Sequence, residues 1–200
     1  PPYPTTSGYM KKPTVINMIT LTPIHERDGD RHYQEFFRPE FLSERLGRSG
    51  QWLGGGVAKL ELSGPVQRDA FAQLLQGRTP DGENLLKQSW DQGERALGWR
   101  INVIAEGPLN PLWALSSGAL RSRLQTGFAK AAQTVVTDFE RRLNGVLPWG
   151  NAYARGRRSV LCAEFQSGAS PAQTPRLESS LFLFNLQFQR GMENTVLRPE

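Results

Sequence analysis

FQSGASPAQTPRLESSLFLFN, residues 165–185, decides how the second half of this chain folds. It ends in strand formers: Leu181, Phe182, Leu183, Phe184, Asn185, Leu186, Gln187 and Phe188 alternate with an apolar face. A second apolar run, VLCAEF, stands just before it at 160–165. A stretch rich in Ser, Gly, Ala and Pro separates the two runs, so they are expected to pair antiparallel across a loop. Glu178, Ser179 and Ser180 fall at the mouth of the second strand. The loop raises a question, because no residue in it has an evident chemical role.

Working outward, ALRSRLQTGFAKAAQTVVTDFERRL (119–143) is the clearest helix. Leu120, Leu124, Phe128, Ala132, Val135, Phe139 and Leu143 step by three or four and make one apolar stripe. Arg121, Arg123, Lys130, Arg141 and Arg142 lie off that stripe, as a solvated face would. WRINVIA (99–105) reads as a strand, and PLNPLWAL after it, with two prolines, reads as a connection. VQRDAFAQLLQG (66–77) is a short helix with Phe71, Leu74 and Leu75 on one face and Gly77 as its stop. RTPDGENLL then turns on Pro80, Asp81 and Gly82. The glycine triplet Gly54 to Gly56 lacks a following Lys-Ser/Thr, so a phosphate loop fails and a tight turn before a short helix remains.

Towards the N-terminus, TVINMITLTPI (14–24) reads as a strand stopped by Pro23. HERDGDRHYQEFFRPEFLSERLG (25–47) is a charged turn that becomes helical and breaks at Pro39. Residues 1–13 are an extended arm or linker, which leaves 14–200 as one domain. Strands with one long helix on a face define an α+β class.

Composition bounds the rest. Two hundred residues suffice for a real core, and 38% apolar with 22% charged residues is ordinary for a globular protein. No apolar run approaches the length of a membrane span, and no signal peptide is visible. The one cysteine, Cys162, excludes an internal disulfide framework and reads as a buried core thiol, compatible with a cytoplasmic setting. The net charge of +5 permits an anionic partner such as nucleic acid without demanding one.

One window is specific. In GQWLGGGVAKLELSGPVQRDAFAQLLQGRTPDGENL (50–85), Trp52, Gly54, Gly56, Leu60, Leu62, Ser63, Gly64, Val66, Phe71, Leu74, Leu75, Gly77, Pro80 and Gly82 fall in an uninterrupted pattern. That pattern resembles the early segment of MobF-type conjugative relaxases, the TrwC-like group: W-x-G-x-G-A, L-x-L-S-G-x-V, F-x-x-L-L-x-G, P-x-G. GWRINVIAEGPLNPLWAL (98–115) is placed like that family's G-x-D-L-T-F-S-A-P-K-S-V-S strand and loop. The opening stretch keeps step with F-x-H-x10-H-x-H, an apolar strand and Asn, through Phe165, Ser170, Pro175, Leu177 and Asn185.

The resemblance implies an antiparallel sheet with helices packed on it, a palm-like α+β domain, and a lineage that nicks plasmid DNA. In that chemistry a tyrosine attacks a phosphodiester while three histidines hold a divalent metal on the phosphoryl oxygens. The departures are sharp. The three histidine places hold Ser167, Glu178 and Ser180, the acidic place on the strand holds Arg100, and the S-A-P-K-S-V-S loop has become Ile104 to Asn110. The whole chain has two histidines, His25 and His32, so three histidine ligands cannot be assembled from it. The resemblance thus implies a metal cradle from which the ligands have gone, and no cofactor.

Tyr33 stands at about the family's nucleophile position and is a vestigial candidate; as a plain residue it belongs to an amphipathic helix. Glu178, Glu106, Glu164, His25 and His32 are material for a replacement metal site, against which Glu178 reads as a surface carboxylate and the histidines as solvated. The expectation is a catalytically inactive relaxase-like domain that binds single-stranded or hairpin DNA. Its candidate contacts are Arg100, Arg121, Arg123, Arg155, Arg157, Arg158 and Arg176 to phosphates, with Trp149 and Tyr153 stacking bases. The alternatives are a docking module within a larger protein assembly, and an active nickase with unusual ligands.

Overall fold

A computed structural model of the protein describes residues 19–25, 29–37, 50–85, 96–105, 107–145, 158–169 and 174–189. Five strands form one sheet in the order β1-β3-β5-β4-β2: β1 (Ile19–His25), β2 (Gln51–Leu53), β3 (Ala96–Ile104), β4 (Arg158–Ala169) and β5 (Pro175–Gln189). Every neighbouring pair is antiparallel. The helices are α1 (Gly29–Phe36), α2 (Gly56–Lys59), α3 (Arg68–Leu75), α4 (Leu109–Leu115) and α5 (Gly118–Gly145). This is the α+β architecture expected.

The central strand β5 is buried from Leu177 to Phe188, which a strand paired on both edges and covered on both faces must be. Its period-2 alternation sends two sets of side chains to two cores. Phe182, Phe184, Leu186 and Phe188 join Phe36, Phe37, Phe71, Leu74, Phe165 and Trp52 beneath α1 and α3. Leu181 and Leu183 join Val160, Cys162, Ile101, Ala132 and Val136 beneath α5. In the first core Phe71 is the hub, with ring centroids 5.1 Å from Phe184, 5.2 Å from Phe182 and 5.9 Å from Phe165. Cys162 is fully buried as expected, and burial together with the nearby Glu164 carboxylate pushes its thiol pKa up.

Several expectations need correction. Pro23 does not stop β1; it pairs with Trp99 inside the strand. β1 is an edge strand, where alternate N–H groups face away from the neighbouring strand and a proline can be accommodated. PLNPLWAL is not a bare connection but contains α4, because Pro108 is its N-cap and Pro111 lies in its first turn. There the absent proline N–H groups have no intrahelical acceptor to lose. Glu178, Ser179 and Ser180 lie within β5 rather than at its mouth, since pairing with β3 and β4 on both sides overrides their weak strand preference. The seam of α5 is centred one residue off the expected stripe: Ala129, Ala132 and Val136 are buried while Leu120 is exposed.

The glycine triplet does make a tight turn into α2. Gly54 has φ +91°, and a Cβ there would strike the Val160 carbonyl. The Gly55 N–H and the Val160 N–H both donate to the Glu140 carboxylate, at 2.8 and 2.9 Å, tying the turn and β4 to α5.

Candidate nucleic-acid interface

The positions that the family pattern picks out converge on the α1 side of the sheet. Ser167 on β4 is the register partner of Glu178 on β5. Ser180, two residues along β5, pairs with Phe165 on one side and with Asn102 of β3 on the other. Arg100, two residues from Asn102, therefore points to the same face. The sheet itself assembles Ser167, Glu178, Ser180, Asn102 and Arg100 from three adjacent strands.

Hydrogen bonds and ion pairs hold most of these side chains in place. The Ser180 hydroxyl donates to Asn102 Oδ1 at 2.9 Å, and Arg100 Nε donates to the same oxygen at 3.0 Å. Arg100 Nη2 donates to Ser180 Oγ at 3.3 Å. Its Nη1 forms a 2.9 Å ion pair with Glu35 of α1, which also faces Arg31 at 3.6 Å. The guanidinium lies over the Phe36 ring, 5.2 Å from its centroid, and the side chain is only 18% exposed. Glu178 forms a 2.6 Å ion pair with Arg176. Glu178 is thus not the surface carboxylate expected: it is 7% exposed, and its partner is what makes that burial tolerable.

A divalent metal does not fit these residues. Ser167, Ser180 and Glu178 offer two neutral hydroxyls and a carboxylate already paired with Arg176. Among the described residues no group of three His, Cys, Asp or Glu side chains is placed to hold an ion. Glu164 does not help, because it lies on the opposite face. There it is 1% exposed and accepts from Gln51, from Gln166 at 3.0 Å and from Ser179 at 2.6 Å. Glu106 and the His32 side chain lie outside the described residues. His25 ends β1 half-buried, at a register shift.

The other candidates scatter. Arg176 joins the cluster through Glu178. Arg121 does not: it donates to the Ala114 carbonyl at 2.8 Å and stacks over Trp113, closing α4 onto α5. Arg123 is exposed on α5. Arg158 sits at the far end of the β4–β5 ladder, opposite Gln189, where its backbone N–H and carbonyl bond Asn144. Trp149, Tyr153, Arg155 and Arg157 lie outside the described residues. Tyr33 is on α1, its ring packed 5.1 Å from Phe37 and 6.1 Å from Phe71, while Glu35 and Phe36 are the α1 residues that touch Arg100. Sequence reasoning missed Asn102 and Glu35. Asn102 was readable from the period-2 alternation after Arg100; Glu35 has no local signal.

The described residues thus form a five-stranded antiparallel sheet with helices on both faces and a polar cradle built across three strands. The TrwC relaxase family model matches residues 25–196, and the chain belongs to that family. It is 26% identical over 153 residues to the multifunctional conjugation protein TraI of Escherichia coli, a match covering 76% of this chain and 8% of that protein. Solved structures of the conjugative relaxase TrwC share the fold. The metal-free complex with OriT DNA superposes with a TM-score of 0.68 at 18% identity, covering 90% of this chain and 60% of that one. The complex with a 27-mer DNA comprising the recognition hairpin and cleavage site gives 0.69 at 16% identity, over 90% and 60%. The metal-bound OriT complex gives 0.69 at 16% identity, over 90% and 61%. This chain therefore spans about 60% of those TrwC chains and a small fraction of TraI. No helix among the described residues is long and apolar enough to cross a membrane.

Proposed function

We propose that this chain is a relaxase-family domain that binds single-stranded or hairpin DNA without cutting it. The observation that carries this reading is the content of the cradle. Where the family pattern has three histidines and an acid, this chain has Ser167, Glu178, Ser180 and Arg100; Arg100 bonds Ser180 and pairs with Glu35, Ser180 donates to Asn102, and Glu178 pairs with Arg176. Without a Lewis acid on the phosphoryl oxygens, a phenol such as Tyr33 lacks the charge stabilisation that strand transfer needs. Basic residues still favour a polyanion, and Arg100 and Arg176 lie on the same sheet face as the cradle. The likeness to TrwC structures that contain OriT DNA supports the same ligand class.

The test is anisotropy with fluorescein-labelled single-stranded and hairpin DNA at two salt concentrations, with and without Mn²⁺, followed by a gel for nicked product. Binding that weakens steeply with salt and yields no nick is the expected result. A Mn²⁺-dependent nick that disappears in Tyr33→Phe would make the protein an active nickase instead. An Arg155/Arg157/Arg158 triple alanine variant tests whether that basic segment contributes to DNA binding.

A second reading, a docking module in a protein assembly, is favoured by one observation. Leu109, Leu112 and Leu115 of α4 and Leu120 of α5 are exposed, Leu115 by 88%. Binding no stronger than that of an unrelated basic protein would transfer support to it.

A further inference from the structure

We propose that the Arg100 guanidinium is the resident cation of this site: it takes the place of a divalent metal and receives a DNA backbone phosphate directly. The phosphate half rests on the DNA-binding reading above; the cation half stands on the geometry alone.

A cation held in a protein needs a fixed position, partial burial and a compensating shell. Arg100 has all three. Asn102 Oδ1 and Ser180 Oγ accept from one edge of the guanidinium, Glu35 accepts from Nη1, and the Phe36 ring covers a face. Ser180 stands at one of the former histidine places, so the guanidinium reaches the set that would have ligated a metal. A dication at that set would lie within a few ångströms of a guanidinium that Glu35 and Asn102 prevent from withdrawing. Like charges at such a separation repel, and a dication doubles the charge product. The same arrangement suits an anion. Among the described residues Arg31 and Arg100 both pair with Glu35, and Arg176 pairs separately with Glu178, a balance of one formal positive charge. Glu35 is shared between Arg31 and Arg100, so the shell around Arg100 is not fully neutralising. A guanidinium also binds a phosphate through paired N–H donors, which a point charge cannot.

The decisive experiment restores the ligands with and without the arginine. In one variant Ser167→His, Glu178→His and Ser180→His are combined with Arg100 kept; in a second, the neutral Arg100→Gln is added. Isothermal titration with Ni²⁺, an ion suited to imidazole, reads the site without DNA. The second variant is expected to bind Ni²⁺ at least ~100-fold more tightly than the first, from the repulsion removed. Equal affinities would overturn the proposal.

The unmutated chain supplies a test that does not depend on the histidine variants folding. Titration with Mn²⁺ should show no saturable site; a saturable site abolished by Glu178→Gln overturns the proposal whatever the DNA result. Single-stranded DNA binding should be the same in EDTA and in Mn²⁺. Arg100→Gln should weaken it about 10-fold and lower the log–log salt slope by about 0.7, the value of one phosphate contact on a single strand. Unchanged binding in that variant would remove the phosphate half. If the unmutated protein binds no DNA, the DNA-binding reading falls, while the two metal titrations still decide the cation half.

Discussion

One face of one strand carries two regions of opposite character. Phe182, Phe184 and Phe188 of β5 meet the α1 and α3 phenylalanines; Ser180 and Glu178, on the same face a few residues earlier, meet arginines. Both halves are buried, so depth does not distinguish them. The aromatic half is held by shape and dispersion, which tolerate no gap. The polar half is held by donor and acceptor pairing, which can be rewritten if every partner changes together. That difference explains how a family fold can persist while the polar residues on the same sheet face vary.

Breaking the aromatic half should cost the most. Phe71→Ala removes the hub of the ring cluster, and urea unfolding is expected to show a loss of about 3–5 kcal/mol. A loss below 1 kcal/mol would mean the rings repack without it. On the reverse face, Glu164→Leu strands the Gln51, Gln166 and Ser179 donors, and about 3 kcal/mol should disappear in the same assay. A near-neutral result would show those donors finding water.

The polar half should be softer. Arg100→Gln keeps a donor for Ser180 or Asn102 but ends the Glu35 ion pair, so stability is expected to fall by only about 1–2 kcal/mol while DNA binding suffers more. Equal damage to both would make Arg100 a structural residue first. The smallest effect is a pH dependence at Cys162. Its folded pKa is raised above the ordinary 9.0, so the unfolded thiol ionises first as pH climbs. The native state then holds the extra proton, and stability falls above that pH by at most about 1.4 kcal/mol per unit. Cys162→Ala should flatten that part of the alkaline profile, and an unaltered slope would assign it to other groups.

Legibility followed the same division. α5, α3, the Gly54 turn and the β4–β5 pairing were readable because each rests on local periodicity or on a residue whose backbone needs are unique. The cradle was readable only as a set of positions, through the resemblance carried by Trp52 to Gly82 and by the spacing from Phe165 to Asn185. Pro23 and the α4 prolines misled because a proline's meaning depends on whether its strand is an edge or its turn is the first, neither of which is local. Glu178 misled because a carboxylate is read as exposed until its partner is known, and Arg176 lies on the same strand face two residues away, where a period-2 reading places it only once Glu178 is known to be in the strand.

By itself the sequence determined the α+β class, the apolar periodicities, the basic balance and the absence of three histidines, all of which are properties of composition and spacing. Tertiary structure alone decided that Arg100, Asn102, Ser180 and Glu35 bond one another, because those contacts join β3, β5 and α1 across 65 to 80 positions of chain, a separation no local pattern encodes.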